Sequence, residues 1–299
     1  MALSGAVSAM RILVIGSTGQ VARALAVRGA AAGHDIVCVG RPQIDLERPT
    51  GLADLFSGVT PDIVINAAAY TAVDRAEDEA ERADAINNTG AVALARSAEA
   101  LDLPFIQIST DYVFDGLKGA PYLEADTITP VNVYGRTKAM GEAGVLAVHP
   151  KALVVRTSWV YAADGTNFVR TMLRLAADRD RLNVVNDQIG RPTEAEALAE
   201  ALLSLSQSLR SGAEGGLLHV ANDGEASWRD FAEAAIRGAG LKTHVEGIPT
   251  SDYPTPAPRP RDTRLDLTKA QRDYDVRLPD WRESLERCLT RMDASGRGA

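Results

Sequence analysis

The sequence predicts an α/β fold, a doubly wound parallel sheet with a smaller, partly interleaved second domain. Two patterns and one motif carry this expectation. Apolar runs rich in Val and Ile recur between turn residues at 11–16, 35–40, 62–66, 104–109 and 152–157, separated by alanine-rich stretches of helical spacing. Continuous apolar strands are buried on both faces, which requires helices on each side of the sheet. A glycine-containing turn follows the first run. Past residue 160 the alternation stops: 168–177, 194–209 and 228–238 read as amphipathic helices and 249–261 as a proline-dense loop. The run 217–221 is apolar enough to rejoin the main sheet, so part of 180–222 is expected to pack back on the first half. The expected division is an extension at 1–10 outside the fold, a doubly wound domain at 11–160 and a smaller domain at 161–299. No internal repeat is visible.

Bulk composition narrows the function. With 45% hydrophobic and 24% charged residues the chain can bury a full core. Its net charge of −8 and the absence of Lys/Arg clusters argue against nucleic acid or an anionic membrane as partner, and for a small molecule. Cys38 and Cys288 are the only cysteines, so neither a disulfide framework nor a Cys-x-x-Cys site is available, and His34, His149, His219 and His244 lie outside zinc spacings. The first ten residues lack the cationic start and apolar core of a signal peptide, and no run approaches the ~18 apolar residues that span a bilayer. A cytoplasmic protein without a structural metal is expected.

The turn after the first strand is Gly16-Ser17-Thr18-Gly19-Gln20-Val21-Ala22, the strand-turn-helix setting of a phosphate-cradling loop. Gly16 permits the turn, Gly19 lets backbone approach a pyrophosphate, and the amides beyond, at Gln20 and Val21, supply donors and dipole. Ala22 stands at the third glycine position, where a small residue still allows close packing of helix on strand. This motif makes the expected sheet a dinucleotide-binding Rossmann sheet, the other reading being a purely structural loop. The second strand ends Val39-Gly40-Arg41 where an acidic residue would favour NADH. Arg41 suits a 2′-phosphate, so NADPH is expected over NADH, although a solvated surface arginine is the plain alternative. Asp45 and Leu46 fall where the adenine ring is expected.

Tyr134 and Lys138 are four residues apart in a helical segment, about one turn, which places them on one face. A phenol is a poor acid or base near neutral pH, and an ammonium one turn away stabilises its ionised form. The pair therefore suggests acid-base chemistry.

Taken in order, the glycine loop, the motif from Asn66 through Tyr70 to Asp74, the motif from Ser109 through Thr110 to Gly116, the Tyr134/Lys138 pair and the run Arg156-Thr157-Ser158-Trp159-Val160-Tyr161 resemble the extended short-chain dehydrogenases. Among these the chain is most similar to the dTDP-4-dehydrorhamnose reductase family, and the likeness continues through Asn186 to Thr193 and Tyr253 to Ala257. The resemblance implies reduction of a 4-keto dTDP-sugar. Tyr134 would give the proton, Lys138 would lower its pKa and hold the nicotinamide ribose, and Thr110 would orient the keto oxygen. Ala68, Ala69, Tyr70 and Thr71 would line the cofactor. Asp111 and Trp159 would touch the sugar, and Asn167, Gln188, Arg259 and Arg261 would serve the nucleotide and diphosphate end. Homodimers are the default for such enzymes. Some are associated with Mg²⁺, which hydride transfer through a Tyr/Lys pair does not need. Two other readings stay open: a nucleotide-sugar epimerase or dehydratase that recycles its nicotinamide, and an NADP-binding regulatory subunit with little turnover.

Overall fold

In a computed structural model, residues 9–296 are described. The extension expected at 1–10 thus lies mostly outside the described residues, but its last member needs correcting. Met10 is buried, and its amide donates to His34 Nδ1 at 3.2 Å, so the core begins one residue earlier than the strand pattern suggests.

The elements run β1 (Arg11–Ile15), α1 (Gln20–Ala31), β2 (Asp35–Val39), α2 (Leu52–Val59), β3 (Ile63–Asn66), α3 (Val73–Ala76) and α4 (Ala80–Asp84). A π-helical turn (Ala85–Gly90) leads into α5 (Ala91–Glu99), followed by β4 (Phe105–Thr110), a 3₁₀ turn (Asp111–Val113), α6 (Val133–Val148), β5 (Leu153–Thr157) and β6 (Val160–Tyr161). The remainder is α7 (Phe168–Ala177), β7 (Arg181–Val185), β8 (Ile189–Gly190), β9 (Thr193–Glu194), α8 (Ala195–Arg210), β10 (Gly216–His219), β11 (Ala226–Ser227), α9 (Trp228–Gly238), β12 (His244–Ile248), α10 (Thr268–Tyr274) and α11 (Trp281–Gly296).

Six parallel strands form one sheet in the order β2-β1-β3-β4-β5-β10. Alternation along each strand builds two cores. Ile12, Val14, Ile63, Ile65, Leu153 and Val155 face the layer of α1 and α8, whereas Leu13, Ile15, Val64, Phe105 and Val154 face that of α2 and α5. The order of addition reverses between β1 and β3, and open α/β sheets bind ligands at such a reversal, outside the carboxyl ends of the strands.

The segment 180–222 divides. Residues 195–219 supply α8, packed on α1, and β10, paired with β5, whereas β7 pairs with β12 and belongs to the other half. That half is held by Tyr161, Phe231, Trp281 and Leu285 around α9, itself started by a capping box between Ser227 and Asp230. No helix among the described residues is long and apolar enough to cross a membrane.

Candidate active site

A cleft of about 800 Å³ opens at the carboxyl ends of β1, β3, β4 and β5. Its floor is the glycine loop. Gly16 has φ +121°, a conformation that favours glycine, and an added Cβ would sit 3.4 Å from the Ala67 and Ala68 backbone. A Cβ on Gly19 would meet nothing within 4 Å, so the open space over the start of α1 is that of a cradle for a ligand backbone rather than a packed turn. Ala22 is fully buried beneath it. Gln20, Val21, Arg41, Asp45, Leu46, Ala68, Ala69 and Thr71 all line the cleft. Arg41 is exposed, and among the described residues no carboxylate pairs with it. The donors at the loop, the open cradle and this free guanidinium fit a dinucleotide phosphate.

Thr110, Asp111, Tyr134, Lys138 and Trp159 line the same cleft. Thr110 ends β4 and accepts from the Tyr112 amide at 3.2 Å. Tyr134 and Lys138 stand on the first turns of α6, which Asn132 caps by accepting from the Gly135 amide at 2.8 Å. The Lys138 ammonium, only 4% exposed, donates to the Ile108 carbonyl at 2.7 Å.

Burial governs the ionisable groups here. It pushes the Tyr134 phenol up to about 12, opposed by a hydrogen bond with Thr110 and assisted by the charge of Asp111. It pulls Lys138 down to about 8 against the attraction of Glu142. Asp111 is raised to about 7, although Thr263 and Thr110 donate to its carboxylate at 2.5 and 3.1 Å. Burial outweighs the lowering expected of Lys138, whose ammonium is anchored on the Ile108 carbonyl of β4, and leaves the phenol protonated near neutral pH.

Trp159 occupies a left-handed backbone position at φ +47°, a strain on the order of 1–3 kcal/mol for a non-glycine residue. Its ring is stacked on Trp228 with centroids 3.6 Å apart and planes 7° from parallel. The seat exists because residue 190 is glycine, where a Cβ would lie 2.5 Å from the indole Cε2. Gly190→Ala is therefore expected to displace the indole and raise the KM for a sugar substrate roughly 10-fold, with cofactor affinity unchanged. Steady-state kinetics beside a cofactor titration checks this, and unchanged KM counts against contact of Trp159 with the sugar.

Five expected site residues lie outside the cleft lining. The Tyr70 ring packs with Ala76, Ala83 and Val133, its hydroxyl donating to Glu79 at 3.0 Å. Asn167 caps α7 and donates to Gln20 Oε1 at 3.1 Å and the Ala162 carbonyl at 2.8 Å, leaving its amide engaged in the fold. Gln188 bridges Thr250 and the Trp228 indole, supporting the Trp159 stack from behind. Arg261 is 69% exposed beside Asp187. Arg259, read above as a phosphate ligand, is held bidentately by Asp74 at 2.6 and 2.9 Å. Conversely, Thr157, Ser158 and Arg23 line the cleft and Thr263 bonds Asp111, none of them anticipated. Thr263 lies just beyond the arginine-bearing loop, but nothing local marks a partner 152 positions away. No group of three or more His, Cys, Asp or Glu able to hold a metal occurs among the described residues.

Comparison with known proteins gives the same fold and cleft a family context. Residues 10–294 match the family described as RmlD substrate binding domain. The chain is 42% identical to a dTDP-4-dehydrorhamnose reductase of Sinorhizobium fredii, across 97% of this chain and 100% of that one. A solved dTDP-4-dehydrorhamnose reductase of Clostridium acetobutylicum superposes with TM-score 0.89 at 35% identity, covering 95% of this chain and 100% of that one. One from Bacillus anthracis, in complex with NADP, gives 0.89 at 33% identity with the same coverage.

Proposed function

This chain belongs to the RmlD substrate-binding-domain family of dTDP-4-dehydrorhamnose reductases, and from that membership we propose that it reduces the 4-keto group of dTDP-4-dehydro-L-rhamnose to give dTDP-L-rhamnose. The observation that carries the reading is that Thr110, Tyr134 and Lys138 share one cleft with the glycine loop. Reducing a ketone needs a hydride at carbon and a proton at oxygen. A bound reduced nicotinamide supplies the hydride. The glycine loop, Arg41, Asp45, Ala68 and Ala69 would hold that cofactor, and Lys138 would serve its ribose.

Tyr134 delivers the proton. A phenol kept protonated by burial is suited to donate once charge develops on the keto oxygen, and the neighbouring ammonium then stabilises the phenolate left behind. Thr110 orients that oxygen, while Asp111, fixed by Thr263, accepts from a sugar hydroxyl. Trp159 offers an apolar face to the sugar methyl side.

The test follows loss of the reduced-nicotinamide absorbance with dTDP-4-dehydro-L-rhamnose, NADPH and NADH in parallel, beside a 4-keto dTDP-hexose of different configuration. Oxidation confined to the rhamnose precursor is expected. NADPH binding without oxidation of any sugar would overturn the reading. For Arg41→Ala, loss of a charge-assisted phosphate contact worth ~1.5–3 kcal/mol should weaken NADPH roughly 10- to 100-fold and leave NADH unchanged. Equal effects on the two cofactors would remove Arg41 from the phosphate site.

A further inference from the structure

Glu142 is one helical turn beyond Lys138, so Tyr134, Lys138 and Glu142 form a single stripe on α6. Each meets β4 in the same neighbourhood. Tyr134 lines the cleft beside Thr110, the Lys138 ammonium donates to the Ile108 carbonyl, and the Glu142 carboxylate accepts from the Ser109 hydroxyl at 2.5 Å. The carboxylate is 3% exposed, and its other partner is Arg156, which donates from Nε at 2.9 Å and Nη2 at 2.7 Å. Arg156 stands opposite Ser109 in the β4–β5 register, and His219 stands opposite Arg156 on β10. Burial and the guanidinium hold His219 neutral, down at about 3, so it adds no second cation to the row.

A buried ion pair contributes little net stability compared with apolar residues of the same shape. A fold that only needed α6 packed on β4 could use such residues. This pair instead sits one turn behind a buried ammonium. From that juxtaposition we infer that Glu142, fixed by Arg156 and Ser109, is a positioning residue that keeps the Lys138 side chain charged at its seat on the Ile108 carbonyl, one turn from Tyr134. The inference rests on the roles proposed above for Lys138 and Tyr134.

Other ionisable groups lie on the surrounding elements: Tyr112 packs on Tyr134, Glu124 accepts from the His219 amide at 3.0 Å and Glu77 from the Val133 amide at 2.8 Å. Tyr134 shares the helix, Asp111 follows β4, and Arg156 and His219 lie on β5 and β10. On the opposite side, Asp74 of α3 pairs with Arg259, Asp84 of α4 accepts from Asn88, and Glu99 of α5 pairs with His149. Among these charges it is Glu142 that acts on Lys138, raising its proton affinity against burial. Removing the carboxylate should therefore favour loss of the lysine proton.

The experiment is the titration of the Lys138 ε-carbon by NMR in the cofactor-free protein, with the pH profile of kcat measured alongside, for wild type and Glu142→Gln. The variant's lysine should titrate about one pH unit or more lower, and the alkaline limb of kcat should move down with it. An unshifted lysine would overturn the inference, because a purely structural role leaves that titration where it is. If the single variant does not fold with Arg156 unpaired, Glu142→Asp keeps the charge but draws it back by one methylene. A smaller downward shift of the lysine is expected there, and its absence again overturns the inference. A lysine that shifts while kcat keeps its profile would leave the coupling intact and count instead against the proposed role of Lys138 in catalysis.

Discussion

Tyr134→Phe is expected to lower kcat by roughly 10²- to 10⁴-fold, the contribution of a positioned general acid, while leaving NADPH affinity within about twofold of wild type. The substitution deletes one oxygen. Its ring keeps the edge contact with Tyr112, now at 5.8 Å and 72°, and α6 keeps its Asn132 cap. Thr110 keeps its bonds to Asp111 at 3.1 Å and from the Tyr112 amide at 3.2 Å. Cofactor contacts made by the glycine loop and Arg41 lie on other elements and are untouched. Single-turnover oxidation of NADPH, with a separate binding titration, tests this. A variant of near-normal turnover would eliminate Tyr134 as the donor and direct attention to Asp111 and Lys138, the other cleft groups that hold a proton close to neutral pH.

The direction of the Tyr134 perturbation bears on the same prediction. The sequence led to a phenol lowered overall by the ammonium, whereas burial outweighs that effect and sets the net direction upward. A reductase needs its donor protonated before hydride arrives, and a phenol at about 12 is so at any physiological pH. Stabilisation by Lys138 then matters after transfer, when the phenolate exists in a site of low polarity.

What the sequence revealed and what it hid follow a physical division. Strands of the main sheet were legible because burial on both faces demands unbroken apolar runs, as in Ile63–Asn66 and Leu153–Thr157. The glycine loop was legible because its φ and its close approach to Ala67 restrict residue choice locally. Side-chain destinations set by distant chain were not. Asn167 looked like a substrate ligand, yet its amide is engaged by Gln20, 147 positions away, and Arg259 by Asp74, 185 positions away. Polar residues of the same type serve caps, ion pairs and ligands alike, and only tertiary packing decides among them.

Gly135→Ala reaches the site through packing alone, and its sign is diagnostic. In an exposed helix, alanine for glycine stabilises by about 1 kcal/mol. Here the added Cβ would lie 2.1 Å from the Tyr112 carbonyl oxygen and 3.0 Å from both the Tyr112 carbonyl carbon and the Pro130 side chain. The nearest obstacle is backbone of the turn that follows Thr110, so no rotamer change relieves it and α6 itself must move outward. That motion separates Tyr134 from Thr110, its partner across the cleft. Overpacking of this kind costs about 1–3 kcal/mol, which should lower the melting temperature by several degrees. A displacement on the order of 1 Å between proton donor and orienting hydroxyl should reduce kcat about 100-fold. Melting curves and kcat on the same preparation read both effects. A variant that melts higher than wild type and turns over normally would mean that α6 is free to shift without consequence. In that case the close approach of Gly135 to Tyr112 is not what sets the Tyr134–Thr110 geometry.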